Sequence, residues 1–131
     1  MEVIFLGTGA SVPTKNRSFP CLAMKREGEI FIFDCGEGAQ RQMVLARIGF
    51  CRSMKIFVTH LHGDHLFGLP GMLQSMSLLG RKEELAVYGP TGLRDFVDSV
   101  NEAIQSTIAF PLEVHEVGRG RVFETPTYEI S

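Results

Sequence analysis

Three of the four histidines and one aspartate fall within a single short run, Thr59-His60-Leu61-His62-Gly63-Asp64-His65. Neutral imidazole nitrogens and an ionised carboxylate are the donors that zinc and other borderline first-row ions select. One histidine alone would read as a hydrogen-bonded surface or core residue, but three beside an aspartate point to a metal. The apolar residues before them, Lys55-Ile56-Phe57-Val58-Thr59, read as a buried strand, so the donors belong to a strand-end loop. Two histidines four apart on a helix already share a face; His60, His62 and His65 do not have that spacing. A turning backbone must therefore gather them, and Gly63 is expected at the bend. The four donors can also divide between two ions, His60 and His62 on one and Asp64 and His65 on the other. Such a division leaves each ion short, and further ligands must come from elsewhere in the fold.

The elements that must position this loop are legible as punctuated apolar runs. Val3-Ile4-Phe5-Leu6 suits a buried strand, and Gly7-Thr8-Gly9-Ala10 is a tight exit where backbone approaches an anion or a neighbouring loop. The polar stretch Pro13 to Ser18 is a loop; its Lys15 and Arg17 are candidates for phosphate contact, although a solvated loop explains each alone. Cys21 to Lys25 and Glu29 to Asp34 form a hairpin about Arg26-Glu27-Gly28. Asp34, at a strand end beside Gly36 and Gly38, either ligates metal or orients a ligating histidine, and the second role is preferred. Ala39 to Ile48 is an amphipathic helix closed by Gly49. Leu66 to Leu79 is a mostly apolar helix ended by Gly80, whose regular part begins near Pro70. A strand at 85–88, a helix from a Thr91 cap to about Gln105, and strands at 112–117 and 122–130 complete the chain. His115 lies on the first of those last strands and is left out of the site. The order places the metal loop at the carboxyl end of a strand, where α/β folds carry chemistry.

With 131 residues, the chain has the size of one domain over 1–131, and 44% apolar residues suit a soluble core. No apolar run reaches about 18 residues and no signal sequence opens the chain, so the expected compartment is the cytoplasm, with no membrane. Three cysteines without C-x-x-C spacing argue against disulfides or a thiolate zinc site and read as buried free thiols. A net charge of −2 argues against broad non-specific nucleic-acid binding but allows a local basic patch.

His60-x-His62-x-Asp64-His65 after a buried strand resembles the signature of the metallo-β-lactamase superfamily. Phe5-Leu6-Gly7-Thr8-Gly9-Ala10 with Pro13 and Arg17, Phe33 to Gln42, and Gly68-Leu69-Pro70-Gly71 are similar to tRNase Z (ribonuclease Z), as are Tyr88-Gly89-Pro90 and Gly92. The resemblance implies an αβ/βα sandwich of which this chain is the N-terminal half. It implies a zinc-dependent endoribonuclease that removes the 3′ trailer from precursor tRNA by phosphodiester hydrolysis. Two zinc ions are implied, the first held by His60 and His62 and the second by Asp64 and His65, with Asp64 also accepting the proton of the attacking water. The family's remaining ligands and its leaving-group acid lie beyond the matched region, so the chain alone is expected to be inactive. An uncovered sheet face and a homodimer are expected. Two other readings stand beside this one: an arylsulfatase-like or phosphodiesterase relative, and a zinc-binding fragment without catalysis.

Overall fold

Alternating side chains along six strands give one sheet with two unlike faces. The computed structural model describes residues 1–131. The strands are β1 (Glu2–Gly7), β2 (Cys21–Arg26), β3 (Glu29–Phe33), β4 (Met54–Phe57), β5 (Leu85–Gly89) and β6 (Leu112–Glu116), and they lie in that order across the sheet. The first two pairings are antiparallel and the next three parallel. Helices α1 (Ala39–Leu45), α2 (Gly63–Leu66), α3 (Gly68–Leu78) and α4 (Leu93–Ala103) occupy the connections between the parallel strands. This is the mixed α/β architecture read from the sequence.

One cross-strand row, Ile4-Ala23-Ile32-Ile56-Val87-Val114, faces the helices. Met43 of α1, Leu69, Met72 and Met76 of α3, and Leu93 and Val97 of α4 close over it as one buried cluster. The adjacent row, Phe5-Leu22-Phe33-Phe57-Tyr88-His115, lies on the opposite face. Its rings stack in sequence, Phe33 on Phe57 at 5.2 Å, Phe57 on Tyr88 at 5.0 Å and Tyr88 on His115 at 4.8 Å between centroids.

A short hairpin, β7 (Phe123–Glu124) with β8 (Glu129–Ile130), sits against this second face. The expected single strand over 122–130 is therefore corrected. Pro126 lacks an N–H for a ladder, and the Thr125 hydroxyl accepts from the N–H groups of Thr127 and Tyr128, which closes a turn instead. The hairpin leaves Phe31 and Phe57 buried, so the expected bare sheet face is only partly bare. Exposure persists at the edge, where Val3 is 45% and Phe5 71% exposed. The helical side also carries exposed apolar residues, among them Val44, Leu45, Leu78 and Leu79.

The hairpin is held by Tyr128, whose hydroxyl donates to Glu29 Oε2 at 2.6 Å beneath the Arg26 guanidinium. Burial and this bond push the Tyr128 phenol up to about 12, while the same bond holds the Glu29 carboxyl below its usual range. Because the neutral phenol is the form stabilised on folding, its contribution is complete below pH 10 and is lost as pH rises through about 12. The Glu29 contribution runs oppositely, present above its ordinary value and lost as pH falls below it. Tyr128→Phe is expected to cost about 1 kcal/mol, because the bond is partly solvated, and to remove the alkaline loss between pH 10 and 12. Denaturant unfolding at neutral and alkaline pH measures both; an unchanged alkaline slope contradicts this role.

Three element ends and the exposure of one cysteine differ from the sequence reading. α1 stops at Leu45 with Arg47, not Gly49, in the left-handed region, and the Ile48 N–H returns to the Met43 carbonyl. The region 63–78 is two helices broken at Phe67, with α3 starting at Gly68, two residues before Pro70. α4 is not capped by Thr91: Gly92 is its N-cap, and the Glu116 carboxylate from β6 accepts from the N–H groups of Gly92 and Arg94. Cys51 is exposed, whereas Cys21 and Cys35 are buried, and burial pushes the Cys21 thiol up to about 12.

Candidate metal centre

β3 and β4 are parallel neighbours, so their carboxyl ends deliver Asp34 and the loop 58–62 to the same edge of the sheet. Asp34 turns there with φ of 60°, a left-handed conformation that aspartate tolerates better than most residues. This turn brings its buried carboxylate over the start of the histidine loop. It accepts from the Thr59 N–H at 2.8 Å and from the Thr59 hydroxyl, and it meets His65 Nδ1 at 2.8 Å. The preferred sequence reading of Asp34, as a group that orients a ligating histidine, is the one its contacts match.

The histidine loop is shaped by glycines, but not as the sequence suggested. Gly63 is the first residue of α2 and has no positive φ; a Cβ there would meet the Phe67 ring at 2.4 Å. The bend is thus a helical turn, with Gly63 needed for ring packing. Three backbone segments also meet beneath the site. A Cβ on Gly36 would meet the Asp64 carbonyl oxygen at 2.4 Å, and one on Gly68 would meet the Gly36 carbonyl oxygen at 2.0 Å. The Cys35 N–H donates to the His65 carbonyl at 2.9 Å, and the Gly68 N–H to the Cys35 carbonyl at 2.9 Å. At the opening strand's exit, a Cβ on Gly7 would strike the Phe19 carbonyl oxygen, so that Gly-x-Gly serves a neighbouring loop.

The candidate ligands converge. The ligand atoms of His60, His62 and Asp64 all lie within 4.8 Å of one another. The His60 ring centroid is 4.6 Å from that of His62 and 3.9 Å from that of His65, and His65 Nε2 is 3.4 Å from Asp64 Oδ2. The Ser11 N–H, presented by a left-handed residue, donates to the same Asp64 oxygen at 3.2 Å, and no protein donor reaches the other. All four residues named from the sequence are therefore assembled on one edge. His115 is elsewhere, stacked on Tyr88 and bonded to Glu113. Lys15 and Arg17 line a separate polar cavity of about 310 Å³ with Asn16, Ser18 and Gln42.

The donor chemistry fits a cation. A carboxylate only accepts, so the hydrogen in the His65–Asp34 contact belongs to His65 Nδ1. With a neutral ring, the Nε2 lone pair then faces Asp64 Oδ2 across 3.4 Å, an arrangement of two acceptors that a bound cation relieves. Sequence reasoning missed Ser11 and Thr59. Neither has a spacing signal, because their contacts depend on how distant loops are folded together.

Residues 1–103 match the family model described as Anti-Pycsar protein Apyc1. The chain belongs to this family. This Apyc1-family chain is 49% identical over 131 residues to Ribonuclease Z of Methanothermobacter thermautotrophicus, a match covering 100% of the chain and 43% of that protein. The crystal structure of human tRNase Z, short form, superposes with a TM-score of 0.83 at 46% identity, covering 88% of the chain and 45% of the human protein. The metallo-β-lactamase fold protein YhfI of Bacillus subtilis, at 16% identity and a TM-score of 0.70, shares the fold, with 95% of the chain and 50% of YhfI covered. The tRNase Z resemblance and the metallo-β-lactamase fold drawn from the motifs are borne out. The Apyc1-family chain spans less than half the length of the curated relatives it matches.

Proposed function

We propose that the protein to which this chain belongs is a zinc-dependent endoribonuclease that removes the 3′ trailer from precursor tRNA. The observation that carries the reading is the convergence of His60, His62, Asp64 and His65 on one sheet edge, in a chain 49% identical to a ribonuclease Z. His60 and His62 would hold one ion, and Asp64 and His65 a second. When bound, the ions supply Lewis acidity that makes water an effective nucleophile near neutral pH and offsets charge on the phosphate. Asp64 accepts the proton of the attacking water through its oxygen that has no protein donor, while the Ser11 N–H holds the other. The water oxygen joins phosphorus and the bond from phosphorus to the tRNA 3′ oxygen breaks; that oxygen takes its proton from a leaving-group acid outside these residues, giving a 3′-hydroxyl on the tRNA and a 5′-phosphate on the trailer. The ligand set of this chain does not complete two ions, so the 131 residues alone are expected to leave precursor tRNA intact. Measurable turnover by the purified chain contradicts that expectation.

A second reading, a phosphodiesterase relative of the same fold, is kept because the matching family model carries a description other than ribonuclease Z. No helix is long and apolar enough to cross a membrane. A cytoplasmic location and a homodimer complete the proposal, the dimer supported by exposed apolar residues on α1 and α3. The test is incubation of the full-length protein with precursor tRNA and, separately, with a small phosphodiester. A single cut yielding tRNA with a 3′-hydroxyl supports the reading; turnover of the small ester with intact RNA overturns it.

A further inference from the structure

We propose that Thr59 is a positioning residue that fixes the ring of His60, so that one hydroxyl and one carboxylate set both outer histidines of the metal loop. This rests on the metal-centre reading above and assigns Thr59 a role within it. The Thr59 hydroxyl oxygen is 3.0 Å and 2.9 Å from the two Asp34 oxygens and 2.9 Å from His60 Nδ1. A hydroxyl has one hydrogen, and the carboxylate can only accept. The hydrogen therefore lies toward Asp34, and the Thr59 oxygen is left as an acceptor. His60 Nδ1 must then be the donor. Were Thr59 to donate to His60 instead, two short oxygen contacts to a carboxylate would hold no hydrogen between them.

The consequence follows atom by atom. His60 carries its hydrogen on Nδ1 and presents the Nε2 lone pair, the state a ligand requires. Asp34 imposes the same state on His65 through Nδ1 at 2.8 Å. Thr59 and Asp34 thus join a proposed ligand of the first ion to a proposed ligand of the second. The Thr59 N–H also binds Asp34 at 2.8 Å, and that bond survives loss of the side-chain hydroxyl. Thr59→Val is therefore a shape-conserving probe of the hydroxyl alone, and Thr59→Ser restores it.

Histidine tautomers can be read directly, without turnover. In the metal-free full-length protein labelled with ¹⁵N-histidine, long-range proton–nitrogen spectra at a pH where imidazole is neutral should show hydrogen on Nδ1 of His60. Thr59→Val should lose that preference and weaken zinc binding, measured by competition with a chelator, by about 10- to 100-fold, while Thr59→Ser stays near wild type. A wild-type His60 with hydrogen on Nε2 overturns the proposal, and this needs no variant to fold. So does Thr59→Val with unchanged tautomer and affinity, or Thr59→Ser as weak as Thr59→Val. Absence of zinc binding by the wild type would instead defeat the metal reading, leaving the tautomer result to judge Thr59.

Discussion

Asp64→Ala in the full-length protein is expected to lower precursor-tRNA cleavage by about 10²- to 10⁴-fold, the usual cost of losing a general base. The substitution removes a proton acceptor and a metal donor together, so the lower limit is the firmer part of this expectation. The position has no substitute nearby. Asp34, the other carboxylate of the cluster, has both oxygens engaged by Thr59 and His65, and Asp64 alone has an oxygen free of protein donors. Asp64→Asn separates the two roles: it keeps the size and a weak ligand but cannot take a proton. The loss should fall on kcat rather than on KM, because the substrate's remaining contacts are untouched. Single-turnover rates on precursor tRNA measure it, and a decrease of less than about tenfold contradicts the role of Asp64.

The second large effect is structural and lies at the opposite end of the parallel strands. Arg81 is 2% exposed, and its guanidinium donates to four backbone carbonyls, those of Phe50 and Arg52 before β4 and of Glu83 and Glu84 before β5. It also lies over the Phe110 ring. Each of these carbonyls would otherwise have to find water in a packed junction. Arg81→Ala should therefore destabilise the protein by about 3–5 kcal/mol, because four carbonyls lose a charged donor together and each one left unsatisfied costs about 1–3 kcal/mol. That is a large fraction of a typical domain's stability of roughly 5–15 kcal/mol. Arg81→Lys should recover little, since an ammonium has three hydrogens and no planar fork. Chemical denaturation measures the loss; a change under about 1 kcal/mol contradicts the account of Arg81.

Arg81 marks a boundary of what the sequence can disclose. It stands in Gly80-Arg81-Lys82-Glu83-Glu84, a charged run that reads as a solvated turn, and nothing in periodicity distinguishes the buried arginine from its exposed neighbours. The strands were legible because apolar residues alternate or run continuously, and the helix-facing row from Ile4 to Val114 follows from that alone. The candidate metal ligands are legible because four donors lie within six residues. Asp34 was legible through its place at a strand end beside Gly36 and Gly38. Ser11 and Glu116 were not, since each acts on a partner more than twenty residues away that only the folded sheet brings near. The apolar pattern over 122–130 reads as one strand although Pro126 divides it into a hairpin, and Gly63 reads as a bend where ring packing against Phe67 requires it.

The centre itself is tested most directly by metal analysis of the purified full-length protein and its His60→Ala, His62→Ala double variant. About two zinc ions per chain are expected in the wild type and a clear loss of zinc in the variant, with the fold retained. A wild type that cleaves precursor tRNA without bound metal, or a variant that keeps the full zinc content, would contradict it.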